Sequence, residues 1–299
     1  MQHIASTRAY GRSIALVENT AEGDLSSLSA EHVTGLLRRW AAVLYRGFRP
    51  SIESFSAWVQ RHGGRLSLDP ARRFEAPGVQ HVDSGLAAIP LHIENGVAPT
   101  QPDLLWFYCE HAAASGSQTT VCDGVRVWAE LSEAARDFFR HAGIKYTRTF
   151  EPAHWRPYMA HELGPNVTPE SVTYEHVRAL FARLPGQIAE PRDGDRLYTE
   201  FTVPAVRLSA LCPELAFANS LIGPSYNYAP PRITTHDDRQ IPEALLAEVR
   251  VVTEACTEQI DWRDGDVLLI DNHRAMHGRR RIEDPARRIF AALSYCDHA

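Results

Sequence analysis

The 299-residue chain has a single lysine, Lys145, among 31 basic residues. Any chemistry that runs through a lysine Schiff base would rest on that one side chain. Cysteines at C-x-x-C spacing are missing as well. The five present, Cys109, Cys122, Cys212, Cys256 and Cys296, are odd in number and widely separated. That argues against a disulfide framework or a thiolate zinc site, and for reduced thiols in a cytoplasmic protein. No stretch approaches the ~20 consecutive apolar residues of a membrane span. The opening MQHIASTRAYGRSIALVENT lacks the apolar core of a secretory leader. Excess positive charge is also lacking: the net charge is −6 and the pI about 6.2, so no nucleic-acid partner is expected. Neither repeat nor linker divides the chain, so one domain over 1–299 is expected. A hydrophobic fraction of 44% is ample for its core.

What is present reads as short strands set among helices. Leu28 to Arg39 has helical apolar spacing after a possible N-cap at Ser29, and Ile52 to Arg61 is helical again. Between them Ala42 to Phe48 is a compact apolar run ended around Gly47, a buried strand. Asp103 to Cys109 forms another strand, with Thr119 to Cys122 as its hairpin partner across Gly116. Val127 to His141 and Pro242 to Glu258 read as helices. Ala205–Leu208, Leu215–Asn219, Val267–Ile270 and Arg288 to Tyr295 read as strands. Residues 145–197 mix aromatics, prolines and charges without a steady period, as an insertion or lid over a site would. The expected class is α+β, a β-sandwich or jelly roll decorated by helices.

Two segments carry the chemistry. In Leu91-His92-Ile93-Glu94-Asn95, an extended backbone points His92 and Glu94 to the same side. An imidazole beside a carboxylate makes two legs of a facial triad that suits Fe(II). Fourteen histidines make one such pair unsurprising by chance. In Gly265 to Arg279 an apolar strand ends in a polar turn and then reaches His277 beside Gly278, which delivers a ligand from a rigid strand end. Arg288, eleven residues on, is placed to grip a carboxylate in a bidentate fork. Against this, His277 and Arg288 could be surface residues of a hairpin, among Arg279, Arg280, Arg281 and Arg287.

These residues, with AEHVTGLLRRWAAVLYRGF, LHIEN, PDLLWFYCEHAAASGSQTTVCDG, GDVLLIDNHRAMHGRR and RRIF in order, resemble the taurine dioxygenase (TauD/TfdA) group within the clavaminate-synthase-like enzymes. The resemblance covers most of the chain. It implies a double-stranded β-helix (jelly-roll) core and an Fe(II)-dependent dioxygenase that uses 2-oxoglutarate and O2. It selects His277 rather than His273 as the third ligand beside His92 and Glu94. It places Thr119, with Thr120 as the alternative, and Arg288 on the 2-oxoglutarate carboxylate.

Departures from the pattern narrow the activity. The carboxylate is Glu94 where taurine dioxygenase has aspartate, as in the clavaminate synthase and amino-acid hydroxylase branch. Its presence argues against halogenation, since related halogenases carry a small residue there. The family's sulfonate arginine, four residues beyond Arg288, is Ala292, so taurine is not an expected substrate. A small amino acid or amino-acid-derived metabolite, hydroxylated or desaturated, is the expected substrate class. Candidate substrate residues are Asn95, Arg148, Trp155, Arg156, Tyr158, Asn219, Tyr226, Tyr228 and Arg274. The rival readings are a jelly-roll metal isomerase or hydrolase that ignores 2-oxoglutarate, and a non-catalytic small-molecule binder.

Overall fold

A computed structural model describes residues 5–20, 23–67, 72–82, 85–164, 166–184, 186–224 and 229–296. It is a mixed α/β structure whose strands fall into three sheets. The large sheet runs Ala5–Ala9, Ile14–Asn19, Ala42–Arg46, Val267–Asp271, Leu104–His111, Arg288–Ser294, Val79–His81, Phe74–Ala76, with Leu66–Ser67 also on Arg288–Ser294. The small sheet runs Thr257–Ile260, Thr119–Asp123, Ala275–Arg279, Ile89–His92. The third runs Ile188–Arg192, Arg196–Pro204, Gly143–Phe150, Arg232–Thr235.

The central strand Val267–Asp271 shows why its sequence is continuously apolar rather than alternating: both faces of it are covered. Leu268 and Ile270 pack with Leu105, Phe107, Ile289 and Ala291 against Val121, Ile260 and Ala275, sealing the large sheet to the small one. Val267 and Leu269 pack on the other face with Tyr45, Trp106 and the helix residues Phe55 and Trp58. Each buried side chain of this kind contributes about 1.5–3 kcal/mol. A further cluster, Trp155, Met159, Val177, Phe181 and Leu197, belongs to the third sheet and its helices. No helix among the described residues is long and apolar enough to cross a membrane.

Several expected elements are placed differently. The helix over Leu28 to Arg39 is one α-turn, Ala30–Val33, capped by Ser29 on His32 N, and a 3-10 turn, Gly35–Arg38. Gly35, costly in a helix interior, stands where the α-turn gives way. Val127 to His141 is two helices, Gly124–Glu130 and Glu133–His141, because Ser132 caps a new start by accepting from Ala135 N. Thr119–Asp123 is not the hairpin partner of Leu104–His111. The intervening residues, with Gly116 and Ser117 at positive φ, carry the chain from the large sheet to the small one. Ala205–Leu208 and Leu215–Asn219 are joined by one bridge, Arg207 to Ala216, and do not form extended strands. Residues 145–197 are regular: they include most of Gly143–Phe150 and the helices Pro152–Leu163 and Tyr174–Phe181.

Candidate metal centre

His277 and His92 are direct cross-strand partners in the small sheet, so their side chains leave the same face. That face is the one turned to the large sheet: the rings lie 4.3 Å apart, and His277 meets Phe107 at 5.7 Å. Close approach of the two strands depends on Gly278. A Cβ there would sit 2.5 Å from the Ile89 carbonyl oxygen. Glu94 comes from a turn beyond the strand end at His92, rather than from an extended segment. Its position is set by Asn272, whose Oδ1 accepts from Glu94 N at 2.8 Å and whose Nδ2 donates to Glu94 O at 3.1 Å. Asn272 Nδ2 also donates to Pro102 O, and Asp271 Oδ1 accepts from His273 N and Arg274 N. The Asp-Asn pair of the sequence therefore builds the turn before His277 and clamps the backbone of Glu94.

The three side chains are buried and present ligand atoms within 4.8 Å of one another. His92 Nδ1 lies 2.9 Å from Pro90 O. A carbonyl only accepts, so Nδ1 carries the proton and Nε2 of the neutral ring offers its lone pair, the usual arrangement of a metal-bound histidine. Burial, reinforced by His277, holds the His92 pKa down to about 3, so the ring is neutral at physiological pH. Burial pushes the Glu94 carboxyl up, but Arg72 and His277 outweigh it and hold the group well below the usual carboxylate range. Arg72 Nη2 donates to Oε1 at 2.9 Å, and Oε2 lies 3.4 Å from His277 Nε2. Two imidazoles and one anionic carboxylate on one side of a cavity fit a divalent iron and leave positions for other ligands. His273 is directed elsewhere, 3.4 Å from Asp103.

Asn272→Ala removes the clamp without touching a ligand atom. It is expected to weaken Fe(II) binding by roughly 10–100-fold, as loss of an outer partner does, measured by anaerobic metal titration.

Beside the triad, His92, His277 and Arg72 share a cavity with Thr119, Arg279 and Arg287. Thr119 Oγ1 accepts from Trp262 Nε1 at 3.0 Å, which leaves its own hydrogen for an acceptor in the cavity. Arg287 donates to Ser117 O and has no ion-pair partner among the described residues. Burial and the neighbouring Arg279 push its pKa down to about 10, so it remains a cation in search of an anion. Arg288, the expected carboxylate ligand, is not in this cavity. Ile289 and Ala291 face the seam between the sheets, whereas Arg288 shares the opposite face with Phe290, is 56% exposed and pairs with Glu110 at 2.7 Å. The resemblance selected Arg288, the second of the Arg-Arg pair; in the fold it is Arg287, just before the strand, that lines the cavity, while Arg288 turns outward to Glu110.

The larger cavity continues from His92 and Glu94 into the third sheet and its helices. Asn95, Arg148, Trp155 and Tyr158 line it, together with Phe150, Met159, Phe181, Leu197 and Phe201. Asn95 faces it because the backbone turns there at φ 55. Three other candidates do not line it. Arg156 is tied to Asp195 and to Val172 O. Asn219 spans Ala205 O and Leu221 N. Arg274 forms a buried two-pronged pair with Asp123 at 3.0 and 2.8 Å. Tyr226 and Tyr228 lie outside the described residues. Arg274→Ala would strand the Asp123 carboxylate, so it is expected to cost about 3–5 kcal/mol of stability, read by denaturant unfolding. Trp262, Asn272 and Arg72 escaped the sequence reading; the strand-turn motif that pointed to His277 also contained Asn272.

The family model for taurine catabolism dioxygenase TauD, TfdA family, matches residues 7–293. A clavaminate synthase-like protein of Arabidopsis thaliana is 25% identical over 293 residues, covering 88% of this chain and 84% of the relative. The 3-((Z)-2-isocyanoethenyl)-1H-indole synthase of Fischerella ambigua is 26% identical over 278 residues, covering 89% and 86%. Among solved structures, PvcB of Pseudomonas aeruginosa superposes with a TM-score of 0.64 at 16% identity, covering 99% and 92%, a likeness of fold. PvcB is described as an Fe, alpha-ketoglutarate dependent oxygenase from an isonitrile synthetic pathway.

Proposed function

The chain belongs to the TauD/TfdA family of Fe(II)/2-oxoglutarate-dependent dioxygenases, and from that premise we propose that it oxidises an amino-acid-derived small molecule in secondary metabolism. The single observation that carries the reading is the buried set His92, Glu94 and His277 beside a cationic cavity. His92, Glu94 and His277 would hold the iron, and Arg287 with Thr119 the far carboxylate of 2-oxoglutarate. The large and small sheets serve as the jelly-roll core of a single domain, and residues 145–197 as its lid. The Fischerella synthase and PvcB, both named for isonitrile chemistry, support the amino-acid-derived class and the setting in secondary metabolism. The five free cysteines fit the expected cytoplasmic place.

Iron and 2-oxoglutarate, when bound, supply the oxidising power, with O2 consumed and succinate and CO2 released. The protein supplies position. Arg72 keeps Glu94 ionised, Pro90 O fixes the His92 tautomer, and Asn272 fixes the backbone of Glu94. Phe150, Trp155, Met159 and Phe201 exclude water and determine which C–H bond is nearest the iron site.

Succinate release from 2-oxoglutarate, dependent on Fe(II) and O2, tests the reading; a protein that never forms succinate would support the rival metal hydrolase or binder. Because Glu94 fills the position that halogenases leave vacant, the product in chloride buffer is expected to gain one oxygen or lose two hydrogens, and never to gain chlorine. With Arg287 on the co-substrate, the sulfonate position moves from Ala292 to Ala291, again alanine. Taurine is therefore expected to leave succinate formation at background. Mass spectrometry and succinate assay check both.

A further inference from the structure

The hydrogen bond that reaches Thr119 ends a chain of contacts that begins outside the iron-side cavity. Thr119 opens the strand Thr119–Asp123, and alternation puts it on the same face as Val121, the cross-strand partner of His277. It pairs with Arg279 on one side and with Ile260 on the other. Two residues beyond Ile260 comes Trp262, whose Nε1 donates to Thr119 Oγ1 at 3.0 Å. The turn that carries Trp262 is pinned on both flanks by one guanidinium. Arg46 Nη2 donates to Asp261 O at 2.8 Å and to Asp266 Oδ2 at 2.7 Å. The same Oδ2 accepts from Arg263 N at 2.9 Å. The indole is therefore presented to Thr119 from a held turn.

A threonine hydroxyl has one hydrogen to donate and two lone pairs that accept. The indole N–H only donates, so it takes a lone pair and leaves the hydroxyl hydrogen to point at a different acceptor. Thr119 is buried and lines the cavity with His92, His277 and Arg287, so a carboxylate oxygen in that cavity is the acceptor it would meet. Accepting from the indole also polarises the hydroxyl and strengthens the bond it donates. The cation is held from the same segment: Arg287 Nη1 donates to Ser117 O at 3.2 Å, two residues before Thr119. Arg287 also lines a neighbouring cavity, formed by residues 113–118 and 260–262, and Trp262 is part of that wall. A phenyl ring in place of the indole keeps a ring in the wall and deletes the N–H.

We propose that Trp262 is a positioning residue for the co-substrate, acting through Thr119 to hold its hydroxyl as a directed donor to the far carboxylate of 2-oxoglutarate. This role rests on the reading that 2-oxoglutarate binds between the iron site and Arg287. It gives Trp262 no contact with the iron, with the keto acid end or with the molecule that is oxidised. The effect is confined to one end of one ligand, which separates it from a general part in folding.

The test is calorimetric titration of the anaerobic Fe(II) protein with 2-oxoglutarate and with 2-oxobutyrate, which keeps the keto acid and lacks the far carboxylate. Trp262→Phe is expected to raise the dissociation constant for 2-oxoglutarate by about three- to tenfold, the scale of one hydrogen bond. The constant for 2-oxobutyrate and the affinity for Fe(II) are expected to stay within about twofold. Thr119→Val is expected to cost 2-oxoglutarate at least as much as Trp262→Phe does. Adding Trp262→Phe to it should then cost less than about twofold more, because the partner is already gone. Equal losses for the two 2-oxo acids would overturn the proposal. So would losses that multiply in the double variant, or a Trp262→Phe protein that binds 2-oxoglutarate as wild type does. If Trp262→Phe does not fold, Thr119→Ser decides, because serine keeps the hydroxyl and the indole bond but lacks the methyl that stiffens χ1. Affinity within about twofold of wild type supports the indole as the group that directs the hydroxyl. A loss as large as in Thr119→Val would assign that work to the methyl and overturn it. Failure of the 2-oxoglutarate reading is separately visible as a wild-type protein that binds neither 2-oxo acid, and it would remove the role of Trp262 as well.

Discussion

Arg287→Ala is expected to weaken 2-oxoglutarate binding by about 2–5 kcal/mol, the cost of truncating one partner of a buried, hydrogen-bonded charge pair. Every 1.4 kcal/mol is tenfold, so the dissociation constant rises by well over an order of magnitude. Arg288→Ala is expected to change it by less than about twofold. The contrast follows from the strand Arg288–Ser294. Ile289, Ala291 and Leu293 face the small sheet, and Arg287, just before the strand, lines the cavity with His92 and His277. Arg288 is on the outer face with Glu110 and Phe290, where a surface ion pair contributes about 0–1 kcal/mol. Calorimetric titration of the anaerobic Fe(II) protein with 2-oxoglutarate distinguishes the two; equal losses in both variants would show that neither arginine has the role assigned to it.

His277→Ala is expected to abolish tight Fe(II) binding, and His273→Ala to leave it within about threefold of wild type. The two histidines are four residues apart in one segment but are held differently. His277 leaves the face of Ala275–Arg279 that looks toward the large sheet and His92, whereas His273 sits in the turn against Asp103. Removing His277 leaves one imidazole and one carboxylate, too few to retain iron against water. Glu94 remains ionised through Arg72, so the loss reports on the missing ligand and not on a neutralised carboxylate. Anaerobic equilibrium dialysis measures the stoichiometry; a His273→Ala protein that loses iron while His277→Ala keeps it would reverse the assignment.

The sequence made the site legible wherever chemistry depended on local spacing. His92 and Glu94 lie two residues apart, and His277 follows the apolar strand Val267–Asp271 and its polar turn, so three candidate ligands were readable before their meeting point was known. The long-range relations were not. That His277 faces His92, that Asn272 clamps Glu94 across 178 residues, and that Arg72 pairs with Glu94 across 22 are contacts no local spacing announces. Arg287 and Arg288 are adjacent in sequence, and only the fold shows that Arg287 lines the cavity while Arg288 pairs outward with Glu110. Arg274 and Arg156 looked free as sequence and are committed to Asp123 and Asp195 in the fold. Residues 145–197 hid their regular elements from the sequence reading because Pro157 lies inside a helix and aromatics recur along the segment, so no single period dominates. The misplaced hairpin has the same origin: a turn signal at Gly116 shows that the chain reverses, not which sheet receives it.

If one buried set of residues binds iron and, next to it, Arg287 holds 2-oxoglutarate, a single titration reads out both. Anaerobic titration of 2-oxoglutarate into the Fe(II) protein, followed by visible absorption, tests both halves together. A weak charge-transfer band that saturates at one equivalent is predicted for wild type and Arg288→Ala, shifted to at least tenfold higher co-substrate in Arg287→Ala and absent in His277→Ala. No band in the wild-type protein, or a band that survives unchanged in Arg287→Ala and is lost in Arg288→Ala, would contradict the account.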